Sequence, residues 1–178
     1  MKEHLLNKYG IRQIGYYVES IEETAQKMRD MLGAGPFVDL GISEPAKLAY
    51  RGEPSEMRSR CALGNLGDMQ IELIEVPTEC PDVYKEMGHY GLHHLCIWTD
   101  DADQVAKDFT EAGYEVAMEL VSGQGLKVFY FDCREDLGSY VEVNAPIESL
   151  AMGIKGLHLK DDGSMPALIP MSALMGGR

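Results

Sequence analysis

Basic residues are what this sequence is short of: 16 Lys and Arg stand against 29 Asp and Glu, for a formal charge of −13. Gripping a phosphate backbone takes clustered Lys and Arg. No basic run or aromatic-basic interleaving offsets the deficit, so neither nucleic acid nor an anionic membrane surface is an expected partner. Long apolar runs are also missing. No stretch approaches the roughly 20 apolar residues that span a bilayer, and Met1-Lys2-Glu3-His4-Leu5-Leu6 lacks the apolar run of a signal peptide. Cysteine is sparse and scattered: Cys61, Cys80, Cys96 and Cys133 form no CxxC pair, which suits a reduced, cytoplasmic protein. What remains is an ordinary globular composition, 45% apolar over 178 residues, enough for one substantial core or two small modules sharing one.

The chain reads as two related halves. The first runs Gln13-Ile14-Gly15-Tyr16-Tyr17-Val18, then a helical stretch from Ser20 to Leu32, then Gly33. The second runs His94-Leu95-Cys96-Ile97-Trp98-Thr99, then Asp101 to Ala112, then Gly113. Ser20 with Glu23 makes a capping box, and Asp101 with Gln104 resembles one. Ile21, Ala25, Met28 and Leu32 share one helical face, as do Val105, Phe109 and Ala112. Further strands are predicted near 37–42, 47–51, 58–64 and 69–76, and near 115–122, 126–132 and 138–144. A short helix from Pro81 to Met87 links the halves. The division is therefore a first βαβββ module over 1–80, a linker helix and second module over 81–146, and an extension over 147–178. That extension, with Met152, Met165, Met171 and Met175, reads either as an arm packing on a partner subunit or as a poorly ordered terminus.

Successive strand residues point to opposite faces. Four segments thereby set one metal-capable side chain opposite an apolar row: Gln13 against Ile14 and Tyr16, Glu72 against Ile71 and Leu73, His94 against Leu95 and Ile97, and Glu142 against Val141 and Val143. A curved sheet that joined those faces would gather Gln13, Glu72, His94 and Glu142 in one cleft. Each alone has a plainer reading, a solvated strand face or a satisfied core histidine; four at matching places in two halves argue for a site. Cys96, Trp98 and Gln70 share the cleft face, whereas His93 and Glu75 should point away, so His93 reads as structural.

A βαβββ unit occurring twice, with a polar residue on its first and last strands, resembles the vicinal-oxygen-chelate superfamily. That group includes glyoxalase I, methylmalonyl-CoA epimerase, extradiol dioxygenases and the metal-free bleomycin-resistance proteins. Specific resemblances are Gly91-Leu92-His93-His94-Leu95-Cys96-Ile97, Met31-Leu32-Gly33-Ala34-Gly35-Pro36-Phe37, Ile71-Glu72-Leu73 and Val141-Glu142-Val143, within roughly residues 11–146. The resemblance implies an α+β fold, two tandem βαβββ modules forming a curved mixed sheet around a metal cleft. It places metal ligands at Gln13, Glu72, His94 and Glu142, an order similar to animal-type glyoxalase I. The epimerases usually begin with His where this chain has Gln13, and the dioxygenases need two His and one carboxylate. One imidazole with three oxygen donors suits an octahedral divalent ion such as Zn, Ni, Co, Mn or Mg.

The implied activity is that of a metal-dependent isomerase, epimerase or lyase acting on a small-molecule carbonyl substrate. It would move the proton alpha to the carbonyl through an enediolate, with Glu142 as first choice of base and Glu72 opposing it. Glyoxalase I enzymes hold glutathione carboxylates with Arg or Asn at positions that correspond here to Tyr17, Val76 and Tyr90, so glutathione is disfavoured. Tyr17, Tyr90, Trp98 and Cys96 are instead expected to line a site for a flatter or less charged ligand. Arg51, Arg58 and Arg60 are the nearest basic cluster, more simply read as solvated strand-face charges. The alternatives are a metal-free small-molecule binder and a ring-cleaving dioxygenase. A homodimer is expected from the resemblance.

Overall fold

A computed structural model describes residues 4–175; Met1–Glu3, the closing Gly176-Gly177-Arg178 and the side chain of Met175 lie outside the described residues. The first repeat consists of β1 (Gln13–Tyr17), α2 (Ile21–Leu32), β2 (Phe37–Ser43), β5 (Ser59–Leu66) and β6 (Met69–Glu75), preceded by a short α1 (Leu5–Tyr9). The second consists of β7 (Gly91–Trp98), α4 (Ala102–Glu111), β8 (Val116–Val121), β9 (Lys127–Cys133) and β10 (Ser139–Asn144). Both long helices start where the capping signals put them. Ser20 Oγ accepts the Glu23 amide at 3.2 Å, and Asp101 Oδ1 accepts the Gln104 amide at 3.0 Å. Helix α2 ends at Gly33, whose φ of 69° is left-handed and favours a residue without a Cβ.

With β3 (Lys47–Tyr50), β4 (Glu53–Pro54) and β11 (Leu168–Pro170), these strands join one curved, unclosed sheet of order β11-β2-β5-β6-β1-β7-β10-β9-β8-β3-β4. The repeats meet where β1 runs antiparallel to β7, flanked by the parallel pairs β1–β6 and β7–β10. The excursion between β2 and β5 forms β3 (Lys47–Tyr50) and β4 (Glu53–Pro54); β3 crosses to the other half and pairs with β8, bridging the two arms. Alternation divides the apolar residues between faces. On the outer face Ile21 and Ala25 of α2 pack on Ile71, Leu73 and Ala62, while Val105 and Phe109 of α4 pack on Ile97, Phe131 and Val141. The inner face holds a third cluster, in which Tyr84 of the linker helix α3 (Val83–Glu86) meets Ile74, Met118, Tyr130 and Tyr140.

The extension corrects the sequence expectation. Helix α6 (Glu148–Lys160) lies against β5, with Ile154 fully buried among Val38, Leu63 and Ile169. Strand β11 (Leu168–Pro170) then adds in parallel to β2, and α7 (Met171–Met175) follows. An Arg29–Asp161 ion pair at 2.7 Å and a His158 Nδ1 contact to the Gly35 carbonyl at 2.7 Å pin it further. The tail is thus neither a free arm nor a loose end. It covers the edge that β2 would otherwise expose, where unpaired amides and carbonyls invite pairing with another chain. Among the described residues no helix is long and apolar enough to cross a membrane.

Candidate metal centre

The floor of the cleft lies on four adjacent strands, β6, β1, β7 and β10, which carry Glu72, Gln13, His94 and Glu142 in that order. His94 Nε2 stands 3.0 Å from Glu142 Oε2 and 3.4 Å from Glu72 Oε2. Ligand atoms of these three residues fall within 4.8 Å of one another. Gln13 lines the same cleft as both carboxylates, so the four donors come together within a single chain. Gln13 Oε1 is buried and makes no hydrogen bond, and the equally buried His94 Nε2 and Glu142 Oε2 face each other and Glu72. An orphaned buried polar atom costs about 1–3 kcal/mol, and native proteins seldom leave one without a reason. An orphaned amide oxygen in the same cleft as an imidazole nitrogen facing two carboxylates is what a cation would satisfy, so the donor set fits a divalent ion.

Surrounding contacts aim these atoms. Gln13 Nε2 donates to Gln70 Oε1 at 2.8 Å, which frees Oε1 to act as a ligand. Glu142 Oε1 accepts from Asn144 Nδ2 and, at 3.6 Å, from the Cys96 thiol, leaving Oε2 for the site. The imidazoles form a chain: His93 Nε2 lies 3.2 Å from the Val83 carbonyl, and His93 Nδ1 lies 3.1 Å from His94 Nδ1. A carbonyl only accepts, so His93 donates through Nε2. Its bare Nδ1 then takes the Nδ1 proton of His94, and a neutral His94 is left with its Nε2 lone pair facing the carboxylates. Burial, and then the neighbouring His94, push the His93 pKa well below the usual range and keep it neutral.

Without a cation the site balances its charge with a proton. Burial alone would lower the His94 pKa, but Glu142 and Glu72 outweigh it and raise it to about 9. Burial lifts the Glu72 carboxyl; it pushes Glu142 up as well, but the facing His94 overrides this and holds Glu142 below its ordinary value. The His94 ring fits only because its neighbour on β1 is Gly15: a Cβ there would lie 2.0 Å from His94 Cε1.

His93 does not point away from the cleft. The β1–β7 register pairs Gly15 with His94 and Tyr16 with Leu92, skipping His93 as a β-bulge. The bulge breaks strict alternation and turns the His93 ring inward, stacked on Tyr84 at 4.3 Å and Tyr140 at 4.9 Å. Strand alternation in the sequence cannot reveal it.

Above the floor the cleft has a volume of about 430 Å³. Trp98 and Gln70 line it with three of the four floor residues, Gln13, Glu72 and Glu142, whereas His94 is fully buried and does not reach its surface. Tyr17 and Tyr90 do not line it: their rings pair at 4.8 Å, and Tyr17 touches Tyr84, which takes the wall position instead. The displacement comes from the linker helix, whose Asp82 cap accepts the Tyr84 and Lys85 amides and brings Tyr84 within 2.9 Å of the Tyr130 hydroxyl. Cys96 lies beneath the floor, and burial raises its thiol pKa well above the ordinary value, so it is a packing residue and not a nucleophile. The arginines are committed elsewhere, Arg51 to Glu86 and Asp132, Arg60 to Asp39 and Glu22, Arg58 to Glu44. Sequence reasoning missed Asn144, Tyr130 and Tyr84. Asn144 was accessible to it, two residues beyond Glu142 on the same strand face; Tyr84 carried no such signal.

Residues 12–131 match the Glyoxalase/Bleomycin resistance protein/Dioxygenase superfamily. The chain belongs to that superfamily. Similar solved structures include a hypothetical protein of Bacillus halodurans C-125, with TM-score 0.55, 19% identity and coverage of 77% of this chain and 94% of that one. A methylmalonyl-CoA epimerase of Mycobacterium tuberculosis matches with TM-score 0.52, 16% identity and coverage of 80% and 91%. A Streptomyces coelicolor methylmalonyl-CoA epimerase in complex with 2-nitronate-propionyl-CoA matches with TM-score 0.51, 20% identity and coverage of 77% and 96%. At these identities the likeness is one of fold. Among curated proteins, none matches the chain.

Proposed function

We propose that this protein is a divalent-metal-dependent isomerase or epimerase that moves a proton on the carbon next to a carbonyl. The observation that carries the reading is the group of His94, Glu72 and Glu142, with ligand atoms within 4.8 Å of one another, and the orphaned Gln13 Oε1 in the cleft that both carboxylates line. A bound ion such as Zn, Ni, Co, Mn or Mg would act as a Lewis acid on the substrate carbonyl and ease loss of the neighbouring proton. Holding that ion falls to Gln13, His94, Glu142 and Glu72.

The two carboxylates are not equivalent. Glu142 is fixed by Asn144 and Cys96 on its other oxygen, and its side chain is 5% exposed. Glu72 is 15% exposed and borders the open cleft. Its greater freedom lets it swing toward a substrate carbon and take or return a proton, while Glu142, named first by resemblance, keeps the second proton-transfer position facing it. Tyr130 and Trp98 form part of the wall on which a substrate would rest. The superfamily and the epimerase folds among its neighbours support this class of chemistry.

Metal content after reconstitution with Zn, Ni, Co or Mn, and α-proton exchange of carbonyl compounds in deuterated water, test the reading together. About one equivalent of ion, lost in Glu142→Gln, with exchange lost in Glu72→Gln, is the expected result. A protein that takes up no ion under any of these conditions overturns it and leaves a metal-free binding protein.

A further inference from the structure

The residues above the metal floor say what kind of molecule the cleft accepts. The charged residues that line it are Glu72 and Glu142, and both are engaged with His94; no Lys or Arg lines it among the described residues. Beyond reach of the metal floor, a ligand carboxylate or phosphate would therefore leave water with no side-chain cation of the cleft to receive it, which is unfavourable. Above the floor the wall is apolar, with Leu40, Leu63, Leu120, Leu126 and Val128 from four strands and connections of both repeats. Ser59, Ser122 and Asn144 are interspersed, neutral groups that can orient a hydroxyl or keto oxygen without demanding charge.

The last side of this wall comes from the C-terminal extension. Ile147, Leu150 and Ala151, at the start of α6, line the same cleft. Ile147 is 45% exposed, an apolar side chain set in the cleft wall. The helix is firmly placed: Ile154 is buried against Val38 and Leu63, and Lys155 pairs with Asp68 at 2.6 Å. Its first turn is therefore a built part of the cleft.

We propose that the cleft takes an uncharged carbonyl compound with a bulky apolar body, an alicyclic or aromatic α-hydroxy or α-acidic ketone, and that the first turn of α6 selects it through Leu150 and Ile147. The assignment rests on the proton-transfer reading above and extends it to substrate class. A coenzyme A ester is disfavoured by the same geometry, because Arg58 and Arg60 pair with Glu44, Asp39 and Glu22 and no Lys or Arg lines the cleft among the described residues.

Hydroxamic acids are neutral when free, chelate as the hydroxamate on losing the N–OH proton to solvent, and provide probes that share one head while their bodies vary. Calorimetry on cobalt-loaded protein compares 4-tert-butylbenzohydroxamic acid with 4-carboxybenzohydroxamic acid, with acetohydroxamic acid reporting on the chelating head alone. The neutral bulky probe should bind at least tenfold more tightly than its carboxylate twin. Leu150→Arg should invert that preference while leaving metal content and acetohydroxamate affinity unchanged. Equal or tighter binding of the carboxylate probe to wild-type protein overturns the proposal, and so does a ratio that Leu150→Arg does not move. Tenfold tighter binding of propionyl-coenzyme A than of propionyl-N-acetylcysteamine also overturns it. The matching benzamides, which lack the chelating head, read the wall by itself. A preference for the neutral benzamide in protein that binds neither ion nor acetohydroxamate sinks the metal reading and sustains the apolar cleft.

Discussion

The opening strands of the two repeats occupy equivalent places yet carry opposite contents. On β1 the long donor Gln13 comes first and Gly15 second; on β7 His94 comes first and the small Cys96 second. Antiparallel pairing sets Gln13 beside Cys96 and Gly15 beside His94. Each long ligand side chain thus lies against a small residue of the other repeat. The duplication does more than double the number of ligands. About the β1–β7 seam each half supplies the vacancy that the other half's ligand fills, and the vacancy matters as much as the donor. The reciprocity is uneven, since the imidazole needs a residue with no Cβ at all whereas the amide tolerates a thiol.

Filling the tighter vacancy should have the largest effect. In Gly15→Ala the new methyl meets the centre of the His94 ring, hemmed in by Tyr130 at 5.3 Å and His93 at 5.4 Å between ring centroids. Overpacking of this kind costs about 1–3 kcal/mol. Moving the imidazole from Glu142 should also weaken metal binding by more than ~100-fold, beyond the usual outer-shell effect. Denaturant unfolding and a metal titration measure the two parts. Unchanged values for both would mean that Gly15 is not holding space for His94.

The second asymmetry is how each ligand is oriented. Gln13 is turned by one amide contact to Gln70, His94 by the two-imidazole chain through His93 to Val83. His93→Phe keeps the stack between Tyr84 and Tyr140 but removes the acceptor for His94 Nδ1. Metal affinity should fall by about 10- to 100-fold, with the His94 tautomer shift visible by nitrogen NMR of the metal-free protein near pH 10. Gln70→Leu, which leaves the Gln13 amide unaimed, should cost less, because an amide oxygen is a weaker ligand than an imidazole. An equal loss in both variants would remove the distinction.

These contrasts show how far the sequence could be read. Alternation along 13–18, 70–76, 93–98 and 140–143 was enough to place the four donors on one face, because a strand has only two faces and the apolar row marks one of them. Capping residues Ser20 and Asp101 located the helices, since their side-chain contacts are local. What escaped was non-local. The bulge at His93 is a property of the β1–β7 pairing, and the rank of Tyr84 over Tyr17 and Tyr90 follows from where a linker helix docks. The packing of α6 on β5 depends on an apolar groove formed by another part of the chain.

A third contrast is titration. Gln13 carries no proton to lose, whereas His94 in the metal-free protein has a pKa near 9, against an unfolded value of about 6.5. A pKa raised by folding contributes stability that is complete below pH 6.5 and is lost as pH climbs through 9. Metal-free protein should thus lose about 1–2 kcal/mol of stability between pH 7 and pH 9, an order-of-magnitude figure for a buried charged group. Over the same window the proton stops competing, so metal affinity should rise with pH. Denaturation midpoints and metal titrations at matched pH values check the two slopes; a flat metal affinity from pH 7 to pH 9 would remove His94 from the ligand set.

The smallest expected effect is the mirror of the first. Cys96→Val enlarges the residue beside Gln13 as Gly15→Ala enlarges the one beside His94. Here the neighbour is a flexible amide, and the thiol already occupies most of the volume required. The change should cost under about 1 kcal/mol, within the range of a near-isosteric core exchange. It also deprives Glu142 Oε1 of a weak sulfur contact, but Asn144 still donates to that oxygen. Metal affinity should therefore fall less than tenfold. The two variants answer one question from opposite sides of the seam: if Cys96→Val proved as damaging as Gly15→Ala, close fit would be required equally on both strands. The imidazole would then lose its special claim on a residue without a side chain.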